Sequence, residues 1–342
     1  MSKTQVSIVG ATGYTGVELV KILARHPYVR VSSLTTRSEE PVSLAKLIPS
    51  LPKNSNLKLE TFNLKQVVSK SDVVFLALPH TQAMDLAYDF YKAGKIVIDL
   101  SADFRIKDEK LYEVWYGHKH TKKELLGDAV YGLPEAFRSE IRKAKLIANP
   151  GCYATSILLA LKPLVEDALV ELDSVIIDAK SGVSGAGRKL SESTHFCTVD
   201  ENFSAYKVNQ HQHVPEVEAA LRRFAGKSVP ITFVPHLLPI ERGILSTVYL
   251  TKKKGISAKR VREAFEQAYA QEPFVRVRPA GEFPSVKDVA FTNFCDLGIW
   301  ASDRSDRIIV VSAIDNLLKG ASGQAVQNMN IRMGFEETAG LI

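Results

Sequence analysis

A cysteine in a short turn of proline and glycine is the residue of this sequence best suited to nucleophilic chemistry. Cys152 lies in the run Asn149-Pro150-Gly151-Cys152-Tyr153-Ala154-Thr155, between a strand-like segment and an apolar helix-like segment. At a helix N-terminus the dipole and the free backbone N–H groups stabilise a thiolate, and they can also hold an oxyanion. Cys197 and Cys295 do not follow such a turn and fit structural thiols better, a role that stays open for Cys152 as well.

Two histidines could handle the proton that this chemistry requires. His211 and His213 lie in Gln210-His211-Gln212-His213-Val214-Pro215-Glu216, before a helix-like segment. Imidazole titrates near neutral pH, so we expect His211 to transfer the proton and His213 to orient the substrate, an order that the sequence alone does not settle. His236 competes for the same role. The His-x-His spacing also suits a metal, but no third ligand cluster is evident, and we expect no metal site.

Glycines near the start of the chain predict a dinucleotide-binding turn. The segment Gly10-Ala11-Thr12-Gly13-Tyr14-Thr15-Gly16 follows the first strand-like run and opens a helix-like one. Such glycines let backbone N–H groups approach a pyrophosphate, whose charge the helix N-terminus favours. The spacing is GxxGxxG rather than GxGxxG, so a plain strand-to-helix turn is the alternative.

The end of the second predicted strand indicates which nicotinamide cofactor binds. Thr35-Thr36-Arg37-Ser38 stands where an NAD enzyme usually has an acid for the ribose 2′-hydroxyl. An arginine flanked by hydroxyls suits a 2′-phosphate, so we expect NADPH, although Arg37 could also be a solvated loop charge. A thiol beside a nicotinamide then predicts an acyl group held as a thioester on Cys152, which hydride reduces to an aldehyde.

The elements that must position these residues follow two patterns. Up to residue 149, β-branched runs alternate with amphipathic segments, as in a parallel sheet covered by helices. The strands predicted there are Gln5–Val9, Val29–Thr35, Val73–Ala77, Ile96–Leu100 and Lys145–Ala148, with a helix over Tyr14–Arg25. Beyond residue 149 we expect an α+β domain with a mostly antiparallel sheet and helices on one side. Its predicted elements are a helix over Thr155–Leu164, the strands Ser174–Asp178, Ile231–Val234 and Leu245–Thr251, and a terminal helix over Asp315–Met333.

Length and composition exclude several classes of protein. A chain of 342 residues exceeds what one hydrophobic core usually supports, so two domains are expected. No apolar run reaches the length of a membrane span, and the first residues leave no room for a signal peptide. Three widely spaced cysteines favour a reducing compartment, so we expect a cytoplasmic protein. The net charge is +6, but the lysines and arginines are scattered among 38 acidic residues and form no long basic run. This pattern favours a small anionic substrate over nucleic acid.

Taken together, these segments resemble the N-acetyl-gamma-glutamyl-phosphate reductases of arginine biosynthesis over essentially the whole chain. Four further segments carry the resemblance: Asp99–Arg105, Ser181–Arg188, Val234–Leu237 and Ala313–Leu317. The resemblance implies a Rossmann domain over 1–149 and a catalytic domain of the glyceraldehyde-phosphate and aspartate-semialdehyde dehydrogenase type over 150–313. It also implies a C-terminal helix over 314–342 that returns to the first domain, and a homotetramer or homodimer.

The resemblance also implies a reaction and a set of site residues. The family reduces N-acetyl-gamma-glutamyl phosphate with NADPH to N-acetylglutamate semialdehyde and phosphate. The implied cofactor contacts are Gly10, Thr12, Gly13, Tyr14, Thr15, Gly16, Thr36, Arg37, Ser38, Leu78, Pro79, Ser181, Gly182 and Asn316. The implied substrate contacts are Ser101, Arg105, Asn149, Arg188, His195 and Tyr206. Arg105 is the first choice for the phosphate group, because it follows the fourth predicted strand at its carboxyl end.

Two alternatives stay open from the sequence. The related reductase of the carrier-protein lysine pathway acts on a phosphorylated aminoadipate, but Asn149–Tyr153 and Ser181–Gly185 look like the arginine branch. Aspartate-semialdehyde dehydrogenases are further away because they lack the HxHxPE stretch. A nucleotide-sensing protein without catalysis would have no need of Cys152 and its histidines.

Overall fold

The chain folds into two compact units, for which a computed structural model describes residues 3–36, 43–51 and 57–342. Unit 1 comprises Met1–Pro150 and Ala321–Ile342, and unit 2 comprises Gly151–Gly320. The return to unit 1 thus comes later than the boundary expected after residue 313. The buried Asp315 carboxylate accepts the backbone N–H of Phe291 and pairs with Arg242 at 3.1 Å, which keeps this segment in unit 2.

Unit 1 is built on a seven-stranded sheet in the order β3-β2-β1-β4-β5-β7-β6, in which all pairings are parallel. The strands are β1 Thr4–Val9, β2 Val29–Thr36, β3 Leu59–Thr61, β4 Val73–Leu76, β5 Ile96–Asp99, β6 Ala129–Tyr131 and β7 Leu146–Ala148. Central strands such as β4 are buried along their whole length, as expected where helices cover both faces of a parallel sheet. The sequence pattern did not predict β3 and β6, which are three-residue strands at the two sheet edges.

The helices of unit 1 that precede unit 2 in the chain surround this sheet. They are α1 Tyr14–Leu23, α2 Leu44–Leu47, α3 Leu64–Lys70, α4 Met84–Lys92, α5 Glu109–Tyr116 and α6 Pro134–Ile141. The predicted β1-α1-β2 unit is present, and the first helix ends at Leu23 rather than at Arg25. The glycine loop therefore lies between β1 and α1.

Unit 2 contains a second seven-stranded sheet, in the order β12-β13-β14-β11-β8-β10-β9. Its strands are β8 Val175–Gly182, β9 Ser204–Ala205, β10 Ile231–Leu238, β11 Ile244–Thr251, β12 Val275–Val277, β13 Cys295–Ala301 and β14 Arg307–Ile314. Its helices are α7 Cys152–Glu166, α8 Phe196–Val199, α9 His213–Ala225, α10 Ala258–Tyr269 and α11 Val286–Val289. Four of the six strand pairings are antiparallel, which confirms the mostly antiparallel sheet expected for this part of the chain.

Helix α7 lies at the centre of unit 2. It contacts α9, α10, β11 and β14. Its residues are apolar on nearly all sides, as expected for a helix that is buried on nearly all sides. The predicted helix over Thr155–Leu164 is thus longer than expected and starts at Cys152 itself. Pro163 is accommodated in its last turn.

The opposite face of the unit 2 sheet carries an exposed apolar row. Strand register places Ile176, Tyr249, Ile309 and Trp300 side by side on the neighbouring strands β8, β11, β14 and β13. Ile176, Tyr249 and Trp300 are exposed by 37–44%. Ile309 between them is half-buried, and we call these four residues the outer apolar row.

The chain ends with a helix that belongs to unit 1. A π-helical turn over Leu318–Ser322 leads into α12 Gly323–Met333, which contacts α1, α6 and β5. The predicted helix over Asp315–Met333 therefore begins later, because the Asp315 side chain accepts the backbone N–H groups of Leu317 and Leu318. No helix in the described part of the chain is long and apolar enough to cross a membrane.

Candidate active site

Cys152 is the first residue of α7, and Gly151 is the N-cap residue in front of it. Because Gly151 has no side chain, the N-cap residue itself makes no side-chain hydrogen bond to the first amides of the helix. Gly320 packs on Cys152, since a Cβ at position 320 would lie 2.8 Å from the Cβ of Cys152. The helix N-terminus favours a negative charge on the sulfur, so this cysteine is placed as a nucleophile requires.

The two predicted histidines lie beside this turn. The rings of His211 and His213 meet edge to face with centroids 4.6 Å apart. The Nδ1 of His211 accepts the backbone N–H of His213 at 3.1 Å, so a neutral His211 carries its proton on Nε2. The His213 ring packs against Gly151, where an added Cβ would collide with Nε2. The histidine segment therefore contacts the residue that precedes Cys152.

Two tyrosines complete this region of unit 2. The hydroxyl of Tyr153 donates to the backbone carbonyl of His236 at 3.3 Å and lies 3.2 Å from the hydroxyl of Tyr206. Burial raises the pKa of Tyr206 to about 12, and the charge of Cys152 adds to the rise. Burial likewise raises the pKa of Tyr153. Tyr206, predicted as a substrate contact, is thus a neutral hydrogen-bond donor and acceptor beside Tyr153, the residue after Cys152.

The competing histidine, His236, is held by the sheet. Its Nδ1 lies 3.1 Å from the Oδ1 of Asp178 and 3.3 Å from the backbone oxygen of Ala179, both on the neighbouring strand β8. Its ring packs against Phe203, with centroids 4.9 Å apart. These contacts suit a structural histidine on the sheet surface better than a mobile proton carrier.

Ser181, Gly182 and Asn316, which are predicted to contact the cofactor, lie where hydrogen bonds join neighbouring loops of unit 2. Ser181 and Gly182 end β8, and the N–H of Gly182 donates to the backbone oxygen of Gly243. Asn316 accepts the N–H of Gly243 at 2.7 Å and donates to the hydroxyl of Ser184 at 2.9 Å. The Asn316 side chain thus has a structural task in addition to any contact with a cofactor.

Two predicted substrate contacts, Arg188 and His195, are exposed in the segment between β8 and β9. Leu190 and Phe196 in the same segment are exposed by 96% and 73%. The assignment of Arg188 and His195 as substrate contacts stays a prediction.

In unit 1 the glycine loop has the shape that a dinucleotide requires. Gly10 has a φ of +90°, and a Cβ there would collide with the backbone oxygen of Ala77. At Gly13, the N-cap residue of α1, an added Cβ would meet only the Gly10 oxygen at 3.8 Å. The first turn of α1 has no acidic residue. The N-terminus of this helix therefore suits a pyrophosphate. The predicted contacts Tyr14, Thr15 and Gly16 form its first turn.

We expect two alanine substitutions in this loop to affect different properties, one the stability of the protein and the other its affinity for NADPH. Gly10→Ala should lower the free energy of unfolding by about 2–4 kcal/mol, because it adds a collision at a left-handed backbone position. Gly13→Ala should melt like the wild type, since there is room for its Cβ, but weaken NADPH binding by roughly tenfold or more, about 1.4 kcal/mol. Thermal melting and fluorescence titration with NADPH measure both effects. Wild-type NADPH affinity in Gly13→Ala would show that the pyrophosphate does not lie on this loop.

The other predicted cofactor contacts of unit 1 lie around the same strand ends. Thr36 ends β2, and its hydroxyl lies 3.5 Å from that of Thr12. Leu78 and Pro79 follow β4, and the Leu78 side chain packs beside Gly10. Strands β2 and β4 flank β1, so these residues gather where parallel sheets bind nucleotides. The predicted contacts Arg37 and Ser38 lie outside the described residues.

A buried polar loop follows β5 in unit 1 and includes the predicted substrate contact Ser101. Its hydroxyl donates to Asp99 at 2.7 Å and accepts the N–H of Asp103 at 3.1 Å. Asp103 in turn accepts the Tyr112 hydroxyl at 2.8 Å. Burial and then the charge of Asp103 raise the pKa of Asp99 to about 7. Ser101 therefore has a clear structural role in shaping this loop.

Arg105 closes the same loop. Its Nε donates to the backbone oxygen of Asn149 at 2.7 Å, and its Nη2 donates to that of Leu100 at 2.9 Å. The Asn149 side chain donates to the Ala321 oxygen and accepts from Asn328, each at 3.1 Å. Arg105 thus anchors Asn149, the residue that follows β7 and precedes the Pro150-Gly151-Cys152 turn, and this task competes with its predicted role as phosphate ligand.

No group of three or more histidine, cysteine or acidic side chains that could hold a metal occurs among the residues that the structure describes. The histidine pair contacts aromatic rings instead. His211 packs edge to face on Tyr153 and Phe233, with centroid distances of 5.4 and 5.6 Å.

Two family models match most of the chain. The semialdehyde dehydrogenase NAD binding domain model matches residues 5–144, and the semialdehyde dehydrogenase dimerisation domain model matches residues 152–316. N-acetyl-gamma-glutamyl-phosphate reductase of Pelotomaculum thermopropionicum is 53% identical over 337 residues, which cover 98% of this chain and 97% of the relative. The Bacillus cereus enzyme of the same name is 47% identical, with 98% of each chain covered. The chain belongs to the N-acetyl-gamma-glutamyl-phosphate reductase family.

The fold of this reductase family member also resembles that of a solved structure. Aspartate semialdehyde dehydrogenase II of Vibrio cholerae superposes with a TM-score of 0.74 at 18% identity, covering 98% of this chain and 99% of that one. The expected fold class, a Rossmann domain with an α+β domain of the aspartate-semialdehyde dehydrogenase type, is confirmed.

The sequence analysis missed two residues that shape the reductase site. Glu216 accepts the backbone N–H of Gly151 at 2.8 Å, and Tyr153 bridges the Tyr206 hydroxyl and the His236 backbone. Glu216 was visible as an acidic residue in the first turn of a helix. Its partner is distant in sequence, however, and only the fold brings the two together.

Proposed function

We propose that this chain reduces N-acetyl-gamma-glutamyl phosphate to N-acetylglutamate semialdehyde in arginine biosynthesis, with NADPH as the reductant and a thioester on Cys152 as the intermediate. The observation that carries the proposal is the position of Cys152 at the start of α7, with the histidine segment packed on Gly151. The names of relatives that are 47–53% identical over nearly the whole chain support this choice of substrate.

The chain's own residues account for the covalent steps. The Cys152 thiolate attacks the acyl carbon, a C–S bond forms, and the C–O bond to the phosphate breaks so that inorganic phosphate leaves. Reduction of the thioester places a negative charge on its oxygen, which the N-terminus of α7 stabilises. The His211 imidazolium donates a proton to that oxygen and takes it back as the C–S bond breaks. The aldehyde then leaves and the thiolate is restored.

We place the substrate near Cys152 through the predicted contacts. Tyr206, a neutral phenol, suits the polar part of the acyl chain, and Arg188 or Arg105 suits the phosphate group. Arg188 gains weight as the phosphate ligand because two of the guanidinium nitrogens of Arg105 already hold backbone oxygens. Ser101, Asn149 and His195 are proposed as further substrate contacts.

The glycine loop, Thr36, Leu78 and Pro79 would hold the cofactor in unit 1, and Ser181, Gly182 and Asn316 are proposed contacts from unit 2. NADPH supplies the hydride when bound. The open N-terminus of α1 fits a pyrophosphate, and Arg37 with Ser38 is proposed to bind the 2′-phosphate.

We expect Arg37→Ala to weaken NADPH far more than NADH. A guanidinium on a phosphate forms charge-assisted hydrogen bonds worth about 1.5–3 kcal/mol, so the NADPH dissociation constant should rise by roughly 10- to 100-fold. NADH has no 2′-phosphate and should bind as it does to the wild type. Parallel titrations with both cofactors measure the difference. Equal weakening of the two would show that Arg37 serves the loop rather than the cofactor.

An assay of the reverse reaction tests the proposed substrate. Purified protein should reduce NADP in the presence of N-acetylglutamate semialdehyde, and only when inorganic phosphate is added. Aspartate semialdehyde should support little or no turnover. Preference for aspartate semialdehyde, or for an aminoadipate semialdehyde on a carrier protein, would overturn the assignment. Phosphate-dependent turnover also excludes a nucleotide sensor without catalysis.

We further propose that the chain forms a homo-oligomer through the outer apolar row of unit 2. A second copy suits this surface because Ile176, Tyr249 and Trp300 lie on a bare sheet face, within the residues matched by the dimerisation domain model. Sedimentation equilibrium distinguishes a dimer from a tetramer, and a monomer would contradict the proposal. We place the protein in the cytoplasm, where its three free cysteines stay reduced.

A further inference from the structure

A buried carboxylate lies beside the turn Pro150-Gly151-Cys152, called the nucleophile turn below. Glu216 is only 1% exposed, and its Oε1 accepts the backbone N–H of Gly151 at 2.8 Å. A carboxylate is costly to bury unless hydrogen bonds compensate the loss of water, so its place in the site calls for a role. The mechanism above does not use it.

The Gly151 amide is a group for which many helices provide an acceptor of their own. Gly151 is the N-cap residue of α7, and in many helices an acidic side chain in the first turn of the same helix accepts the N-cap amide. In α7 the corresponding position is Ala154, which cannot do so. Glu216 supplies the missing acceptor from α9, a different helix. The hydrogen bond therefore ties the start of α9 to the residue before Cys152.

The same short segment holds Gly151 from a second side. The ring of His213, the first residue of α9, packs on Gly151 so closely that no side chain fits there. His213 also donates its backbone N–H to the Nδ1 of His211, the proposed acid and base. The position of His211 relative to the nucleophile turn thus depends on how α9 is fixed to Gly151.

We propose that Glu216 is a positioning residue for the reaction, which holds the Gly151 amide and thereby sets Cys152 and His211 in the geometry for proton transfer. The proposal rests on the covalent mechanism proposed above. A displacement of about 1 Å between reacting groups can cost on the order of 10²-fold in rate, so a single hydrogen bond at this place has a large effect on turnover.

Two substitutions separate the hydrogen bond from the charge. Glu216→Gln keeps the reach and a carbonyl oxygen that accepts the Gly151 amide, but it has no charge. Glu216→Asp keeps the charge but withdraws the carboxylate by one methylene group. If Glu216 acts through the hydrogen bond, Glu216→Asp should lower kcat by about 10- to 100-fold with an unchanged KM for the cofactor. Glu216→Gln should stay within about threefold of the wild type.

Glu218→Gln and Glu218→Asp are the matched controls. Glu218 lies on the same helix and accepts a backbone N–H as well, but that of Ile231 at the start of β10, at 3.1 Å, rather than one in the turn before Cys152. Both control variants should retain wild-type kcat. Melting curves of all four variants show whether a loss of rate reflects a loss of fold.

The pH dependence of Cys152 alkylation by iodoacetamide gives a readout that needs no turnover. Glu216→Asp should shift this profile, whereas Glu216→Gln and the two Glu218 variants should leave it close to that of the wild type. Wild-type rates and profiles in both Glu216 variants would overturn the proposal, and so would a defect in Glu216→Gln that equals or exceeds that of Glu216→Asp. Failure of the proposed covalent mechanism can be told apart from failure of the Glu216 proposal. If the covalent mechanism were wrong, Cys152→Ser would retain turnover, whatever the Glu216 variants do.

Discussion

Replacing Cys152 with serine should reduce turnover by roughly 10⁴-fold or more while the fold and the binding of NADPH are retained. A thiol at the N-terminus of α7 ionises far more readily than a hydroxyl, so serine would not form a comparable anion there. The change removes no packing volume of consequence and leaves the contact with Gly320 in place. Steady-state assays in both directions, with a fluorescence titration of NADPH, measure the two parts of this prediction.

The two other cysteines provide the controls. Cys197 is exposed, and Cys295 is buried with its Sγ 3.4 Å from the hydroxyl of Ser312. Cys197→Ser should have wild-type activity, and Cys295→Ser should affect stability more than rate. Normal turnover in Cys152→Ser would contradict the covalent mechanism.

His211→Asn should lower kcat by about 10²- to 10⁴-fold, the usual contribution of a positioned acid and base. Asparagine is a suitable replacement because its side-chain oxygen can still accept the backbone N–H of His213, as the Nδ1 of His211 does. The variant should therefore keep the local fold and lose only the proton transfer. The pH profile of kcat should also lose an inflection near neutral pH, where imidazole titrates.

Parallel variants test the assignment among the histidines. His213→Asn should affect the placement of Gly151 and substrate more than the pH profile, because the His213 ring packs on that residue. His236→Asn should have the smallest effect on rate, since Asp178 and Ala179 hold that side chain on the sheet. A larger loss in either variant, with the inflection retained in His211→Asn, would show that the wrong histidine was chosen. Loss of wild-type activity with a chelator would contradict the metal-free mechanism.

The sequence was sufficient to predict the elements that carry strong periodic patterns. The parallel sheet of unit 1, the β1-α1-β2 unit and the start of a helix near Cys152 follow from local patterns of apolar residues and glycines. Strands β3 and β6 were missed because three residues are too few to show a period. The late return of the chain to unit 1 depends on Asp315, whose partners Arg242 and Phe291 are distant in sequence.

The sequence predicts which residue types could react, but it predicts the geometry of the site only in part. The residue types of Cys152 and the histidine pair predict a nucleophile with an acid and base, and the structure brings His213 into contact with Gly151, the residue before Cys152. Sequence reasoning assigned Arg105 only to the phosphate group, whereas the structure uses two of its nitrogens on backbone oxygens. It assigned no role to Glu216, which it noted only as the last residue of the histidine segment. A hydrogen bond between residues 151 and 216 leaves no local pattern in the sequence.

The most direct test of the central claim is to trap the acyl enzyme. Protein mixed with N-acetyl-gamma-glutamyl phosphate in the absence of NADPH should release one equivalent of phosphate per active site and then stop. Mass spectrometry of the digested protein should find the N-acetylglutamyl group on the peptide that contains Cys152, and hydroxylamine should remove it. An active protein that gives no phosphate burst, or that carries the acyl group on another residue, would contradict a thioester on Cys152.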